Sequence, residues 1–167
     1  MTPLPRRWLA ALLPAVLLTL SACAPLVPID AAPDAVNPDC AEVIVRLPES
    51  IDDNVKRETD AQATGAWGNP ATILLRCGVP VPGPSTQPCY TLKGVDWLRD
   101  DSKAPNYVFT TYGRDPAVEV IVDGDKASGT NALIALSNAI GSIPATRACT
   151  NPDDVLGVPE PTPSPSP

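Results

Sequence analysis

Histidine does not occur in this 167-residue chain. Its absence removes the side chain that titrates near neutrality, the usual general base and the commonest metal ligand. Ser-His-Asp, Cys-His and His-zinc mechanisms are excluded with it. Basic residues are also scarce: twelve Lys and Arg stand against nineteen Asp and Glu, a formal charge of −7 and a pI of about 4.4. A chain without a basic face has little to hold phosphates, which argues against nucleic acid as a partner. Aromatics make up only 4% of residues. The N-terminal apolar run, Trp8 to Leu20, is short for a membrane span and is interrupted by Pro14. Against these shortages stand 22 prolines, five cysteines, 44% apolar residues and 19% charged ones, a globular balance.

The two ends read differently from the middle. Arg6 and Arg7 precede the apolar run, and Ser21-Ala22-Cys23 follows it, the order of a secretory signal over residues 1–22. Leu20-Ser21-Ala22-Cys23 looks like a bacterial lipobox, in which the cysteine thiol accepts diacylglycerol before the preceding bond is cut. Cys23 is thus the expected lipidation site and membrane lipid the expected partner there. Two acyl chains, at about 0.8 kcal/mol per buried CH₂, make a stable anchor. Residues 23–38, with Pro25, Pro28, Pro33 and Pro38, read as a semi-extended tether. Residues 151–167 hold six prolines and end Pro-Thr-Pro-Ser-Pro-Ser-Pro, a composition that cannot bury a core. Residues 39–150 are left as one domain. Ten Lys and Arg against fourteen Asp and Glu give it a charge of −4, so much of the acidity belongs to the ends.

Within the domain, Asn37-Pro38-Asp39 reads as a helix start: an N-cap, a proline in the first turn and an acid at the positive end. Cys40, Val43, Ile44 and Leu47 follow at helical spacing, and Pro48 stops the helix. An edge strand is expected around Val55 to Thr59. A central strand is expected over Ala71 to Cys77. Residues 78–88 form a Pro/Gly loop. A hairpin follows, Cys89 to Leu92 and Val95 to Leu98 around Lys93-Gly94. Strands over Tyr107 to Tyr112 and Val118 to Val122 come next, and then a helix capped by Ser128 or Thr130 that runs to Gly141. The pattern predicts an α+β fold: a small antiparallel sheet of four to five strands with an N-terminal and a C-terminal helix packed on it.

Cys40, Cys77, Cys89 and Cys149 remain after Cys23, and an exported domain would pair them in two disulfides. Four cysteines allow three connectivities. Cys77 and Cys89 lie at strand ends around one Pro-rich loop, which favours Cys77–Cys89 and with it Cys40–Cys149. No Cys-x-x-Cys occurs, so neither a zinc ribbon nor a redox pair is expected, and no other metal or cofactor motif is present. Asp123-Gly124-Asp125 lacks the ligand series of a calcium loop. Gly124 to Thr130 carries Gly, Lys and Thr in the wrong order for a phosphate loop and reads as a solvated turn.

Trp67-Gly68-Asn69-Pro70, Leu75-Arg76-Cys77-Gly78-Val79, Gly94-Val95-Asp96-Trp97 and Thr110 to Pro116 together resemble the DUF3515 family. Pro38-Asp39-Cys40 and Ile143 to Cys149 fit the same pattern. The resemblance implies an actinobacterial exported protein or lipoprotein. It implies no activity. Family members usually have Asp where this chain has Asn69.

Six aromatics fall between Trp67 and Tyr112. Core packing is the plain role for them. Trp67 and Tyr112, both beside turns, and Arg114 in Gly-Arg-Asp-Pro form a candidate binding surface for a sugar or peptide. Arg76, in an apolar strand, needs an acid partner, Asp96 or Glu119. Two functions follow. The first is a non-enzymatic binding or accessory lipoprotein at the outer face of the cytoplasmic membrane, contacting an envelope protein or a cell-wall component. The alternative is an envelope hydrolase using Asp/Glu or Ser/Lys chemistry, with Asp96, Asp115, Glu119 and Asp123 as available acids and no spacing that selects two of them.

Overall fold

The structure, a computed structural model, describes residues 25–150. Helix α1 spans Pro38–Ile44, with the Asn37 side chain accepting a hydrogen bond from the Asp39 N–H and Pro38 in the first turn, as its sequence dictates. It ends a turn before Pro48, but Leu47 is still buried with Cys40 and Val43. Eight strands follow: β1 (Ser50–Ile51), β2 (Asn54–Arg57), β3 (Thr64–Trp67), β4 (Ile73–Val79), β5 (Cys89–Leu92), β6 (Val95–Asp100), β7 (Asn106–Thr111) and β8 (Ala117–Asp123). Helix α2 (Gly129–Ile140) closes the set, and its Ser128 cap accepts from the Asn131 N–H. The five strands from β4 onward fall where apolar alternation and the Lys93-Gly94 turn place them. β2 overlaps the edge strand expected around Val55 to Thr59, while β1 and β3 escape the pattern. β1 has two residues and β3 (Thr-Gly-Ala-Trp) is mostly small, and the sheet has eight strands rather than four to five.

All strands pair antiparallel in the order β1-β2-β3-β4-β8-β7-β6-β5. Residues directly opposite across a ladder share a face. On one face, Trp67, Ile73, Val122 and Tyr107 form a row, and Leu75, Val120, Phe109 and Arg99 form the next. Both helices pack on this face, with Leu133, Leu136 and Ile140 of α2 and Val43 of α1 in one core. Helix α2 touches both β1 and β5, the two outermost strands. A flat eight-stranded sheet is about 34 Å wide at 4.8 Å per strand, and a 12-residue helix is about 18 Å long, so the sheet curls around α2. The outer face carries the row Thr64, Arg76, Glu119, Thr110, Leu98. There Arg76 Nε and Nη2 both donate to Glu119 Oε1, at 3.0 and 2.6 Å. Arg76 thus has one of its two expected partners, directly across the ladder.

The cysteines pair as Cys40–Cys77 and Cys89–Cys149, with Cα separations of 5.5 and 5.8 Å. This corrects the expected Cys40–Cys149 and Cys77–Cys89. The loop joining Cys77 to Cys89 does not make a hairpin, because β8, β7 and β6 lie between β4 and β5. Four strand spacings amount to about 19 Å, well beyond the roughly 7 Å a disulfide spans. The two cysteines also face opposite ways. Cys77 lies under α1 in the core, while Cys89 shares the outer face with Leu98.

The segments flanking the secondary structure are tied down. Residues 25–37, expected as a tether, run along the sheet. Val27 bridges Thr59 in parallel, Ile29 N–H donates to Asp60 Oδ1, Asp34 N–H donates to the Gly78 carbonyl, and Ala32 and Ala35 are buried. At the other end Ala145 bridges Arg114, Thr146 N–H donates to the Gly113 carbonyl, and Cys149 N–H donates to Asp96 Oδ2. The signal, Cys23 and the Pro-rich tail lie outside the described residues.

Candidate functional site

The three residues expected to form a binding surface do not form one. Trp67 is fully buried, with its indole Nε1–H donating to the Pro48 carbonyl at 2.9 Å. It is a core residue on the helix face of β3. Tyr112 directly follows β7 and is half-buried, with the Arg147 guanidinium 5.3 Å from its ring centre. Arg114 is buried, with 5% exposure. Its Nη1 donates to the Ile143 carbonyl and its Nη2 to the Gly94 carbonyl at 2.9 Å. Burial lowers its pKa, and the charge of Asp96 partly offsets that. Arg114 therefore braces the post-α2 segment against the β5–β6 turn.

A cleft of about 390 Å³ opens elsewhere, between β5, β6 and β7 and the start of α2. Its floor comes from helix-face positions of the sheet: Arg99 and Phe109, which are paired, and Tyr107 beside them. Tyr90 on β5 stands at the rim with 45% of its surface exposed. The opposite wall is Gly124 and Ala127 to Thr130. This wall is the segment expected as a solvated turn. Its glycine is required by close approach: a Cβ on Gly124 would overlap the Tyr107 ring. Ser128 caps α2, and its hydroxyl is therefore engaged by the Asn131 N–H.

Arg99 is the cleft's one cation among the described residues. Its guanidinium lies 4.7 Å from the Tyr107 ring centre, and Nε donates to Asp101 Oδ1 at 2.6 Å. Burial works against its charge, but the hydrogen bond and charge of Asp101, with smaller contributions from Tyr90 and Tyr107, outweigh it and raise the pKa. Its Nη hydrogens have no side-chain or backbone acceptor among the described residues. A cation held over an aromatic ring, with its outer donors free among the described residues, suits a ligand that offers a flat apolar face and a hydrogen-bond acceptor.

The acids considered for hydrolysis are dispersed. Asp96 accepts from the Thr91 hydroxyl and the Cys149 N–H on the outer side, and Glu119 pairs with Arg76 there. Asp123 pairs with Lys126, and its pKa is lowered mainly by that hydrogen bond. Asp115 is exposed in its turn. The cleft lining contains no carboxylate among the described residues, and no group of three or more His, Cys, Asp or Glu placed to hold a metal occurs there. The alternation of Tyr107 and Phe109 carried a partial signal for this site. Arg99 carried none, because a charged residue near the end of a strand looks like any solvated position.

The fold and cleft define a small, doubly disulfide-bridged α+β domain with one aromatic, cationic recess on the helix side of its sheet. The family model described as "Protein of unknown function (DUF3515)" matches residues 9–148, and the chain belongs to that family. No curated protein and no solved structure matches it.

Proposed function

We propose that this protein is an envelope lipoprotein held at the outer face of the cytoplasmic membrane through acylated Cys23, and that it acts as a non-enzymatic binding module. The cleft takes part of an envelope protein or a cell-wall component. The observation that carries this reading is the Arg99–Tyr107 stack, with unused guanidinium donors beside the exposed Tyr90 ring. An aromatic platform with one planar cation reads a flat, acceptor-bearing group. The lipobox-like Leu20 to Cys23 supports the anchor, and two disulfides suit an oxidising compartment. The test is capture from crosslinked envelopes with the wild type and a Tyr90→Ala/Arg99→Ala double variant. Recovery of the partner should fall at least about tenfold, the loss expected from an anchor worth about 1.4 kcal/mol or more. Unchanged recovery would remove the cleft from the account.

A further inference from the structure

We propose that the outer face of β2 and residues 25–27 held beside it rest directly on the bilayer, so that the domain is docked on the membrane rather than suspended from it. The inference rests on the lipid-anchor reading above. Arg57 Nη2 donates to the Pro25 carbonyl at 2.8 Å, and its Nη1 donates to the Gly68 carbonyl and Asn69 Oδ1. Pro25 is therefore clamped to the sheet, and the next residues are bridged to it through Val27 and Thr59. Cys23 is two residues before Pro25. Consecutive Cα atoms are 3.8 Å apart, which keeps the Cys23 Cα within about 7.6 Å of the clamp. Lipid on Cys23 leaves no leash between the bilayer and this edge of the domain.

The surface beside the clamp suits that position. Leu26 is 57% exposed and Val55 is 65% exposed. Val55 and Arg57 are alternate residues of β2, while Lys56 between them pairs with the buried Trp67, so Val55 and Arg57 share the outer face. Leu26 directly follows Pro25, whose carbonyl Arg57 holds. The acceptors of Arg57 are all uncharged, so no ion pair is made at the clamp itself. Glu58 and Asp60 belong to the same edge, with the Glu58 carbonyl accepting from the Val27 N–H and the Asp60 carboxylate from the Ile29 N–H. Their charge offsets Arg57, so the contact is set by the short connection and by apolar insertion rather than by net attraction, and it should survive high salt.

The experiment uses the full acylated chain, reconstituted in vesicles whose lipids carry a quencher at the headgroup–acyl boundary. A fluorescent amino acid replaces Leu26, Val55, Val45 or Val81 in turn, all four being exposed apolar positions. Quenching at positions 26 and 55 should exceed that at 45 and 81 about threefold, the contrast expected for side chains placed within the interfacial layer. Inserting a flexible linker of about 20 Gly and Ser residues between Cys23 and Pro25, with a mean reach of about 25 Å, should abolish the contrast. Equal quenching at all four sites in protein that floats with the vesicles would overturn the docking and leave the anchor standing. A contrast that persists with the linker would overturn the role given to the short connection. Protein that does not float and carries no acyl mass on Cys23 would overturn both.

Discussion

Replacing the cysteines in pairs separates the connectivity in the structure from the one its sequence favours. With Cys23→Ser in the background of both variants, so that the fifth cysteine adds no thiol, the Cys40→Ser/Cys77→Ser protein loses one bridge while Cys89–Cys149 stays closed, and no free thiol remains. In Cys40→Ser/Cys149→Ser both bridges are lost, and Cys77 and Cys89 are left reduced, about 19 Å apart across the sheet. The chain-entropy relation gives about 3.8 kcal/mol for the 37-residue separation and about 4.3 kcal/mol for the 60-residue one. The first variant should therefore lose about 4 kcal/mol, and the second about 8 kcal/mol, more than many domains of this size possess. Urea unfolding reads the difference. With a slope of about 2 kcal/mol/M, the first midpoint falls by about 2 M, and the second variant is unfolded without denaturant. Thiol titration of denatured protein supplies the independent count: none in the first, two in the second. A folded Cys40→Ser/Cys149→Ser variant with no free thiol would refute the reasoning, since only Cys77–Cys89 could account for it.

Three further perturbations probe the scaffold around the cleft. Arg114→Met leaves the Ile143 and Gly94 carbonyls without their donor and should cost about 1–3 kcal/mol in urea unfolding, mostly from the buried Ile143 carbonyl, since the Gly94 bond is only partly buried; a change under about 0.5 kcal/mol would show that Arg114 is not a brace. Gly113→Ala places a Cβ against the Arg147 carbonyl at a backbone φ of +76°, and should cost at least about 2 kcal/mol and raise amide exchange at Thr146, whose N–H bonds the Gly113 carbonyl; unaltered exchange there would contradict it. Asp123 has a lowered pKa, chiefly through Lys126, and Asp100 has one through the Ser102 N–H. Depressed carboxylates stabilise the fold above their unfolded pKa, and that contribution disappears as pH falls through the folded one. Stability should therefore drop on acidification below about pH 4, and drop less steeply in Asp123→Asn. Parallel curves for variant and wild type would rule out the Asp123–Lys126 contribution.

Local chemistry made part of this molecule legible. Asn37-Pro38-Asp39 and Ser128 carry their cap chemistry on their faces, and β4 to β8 alternate or run apolar as strands should. β1 and β3 were hidden, because a two-residue strand and one built from Thr, Gly and Ala are held by their neighbours rather than by intrinsic preference. The disulfides failed for a topological reason: Cys77 and Cys89 are near in sequence, but their strands are separated by three others that come later in the chain. Aromatic clustering covers Tyr90, Tyr107 and Phe109 of the cleft, but of the residues singled out as a surface Trp67 and Arg114 are buried. Trp67 lies beside a turn and yet is, with Trp97, one of the two largest side chains of the core, while Tyr90 and Arg99 come to line one cleft only when β5 and β6 meet the start of α2. Burial also separates Arg114 from Arg99, and spacing does not report it.

The central claim, that the cleft is where this domain meets its partner, is tested most directly by a photo-reactive amino acid at Tyr90 in living cells, with the same group at the exposed Val45 as reference. The account predicts one discrete adduct from position 90, absent from position 45 and lost when Arg99 is also replaced by Ala. Identical adduct patterns from both positions, or a position-90 adduct indifferent to Arg99, would contradict it.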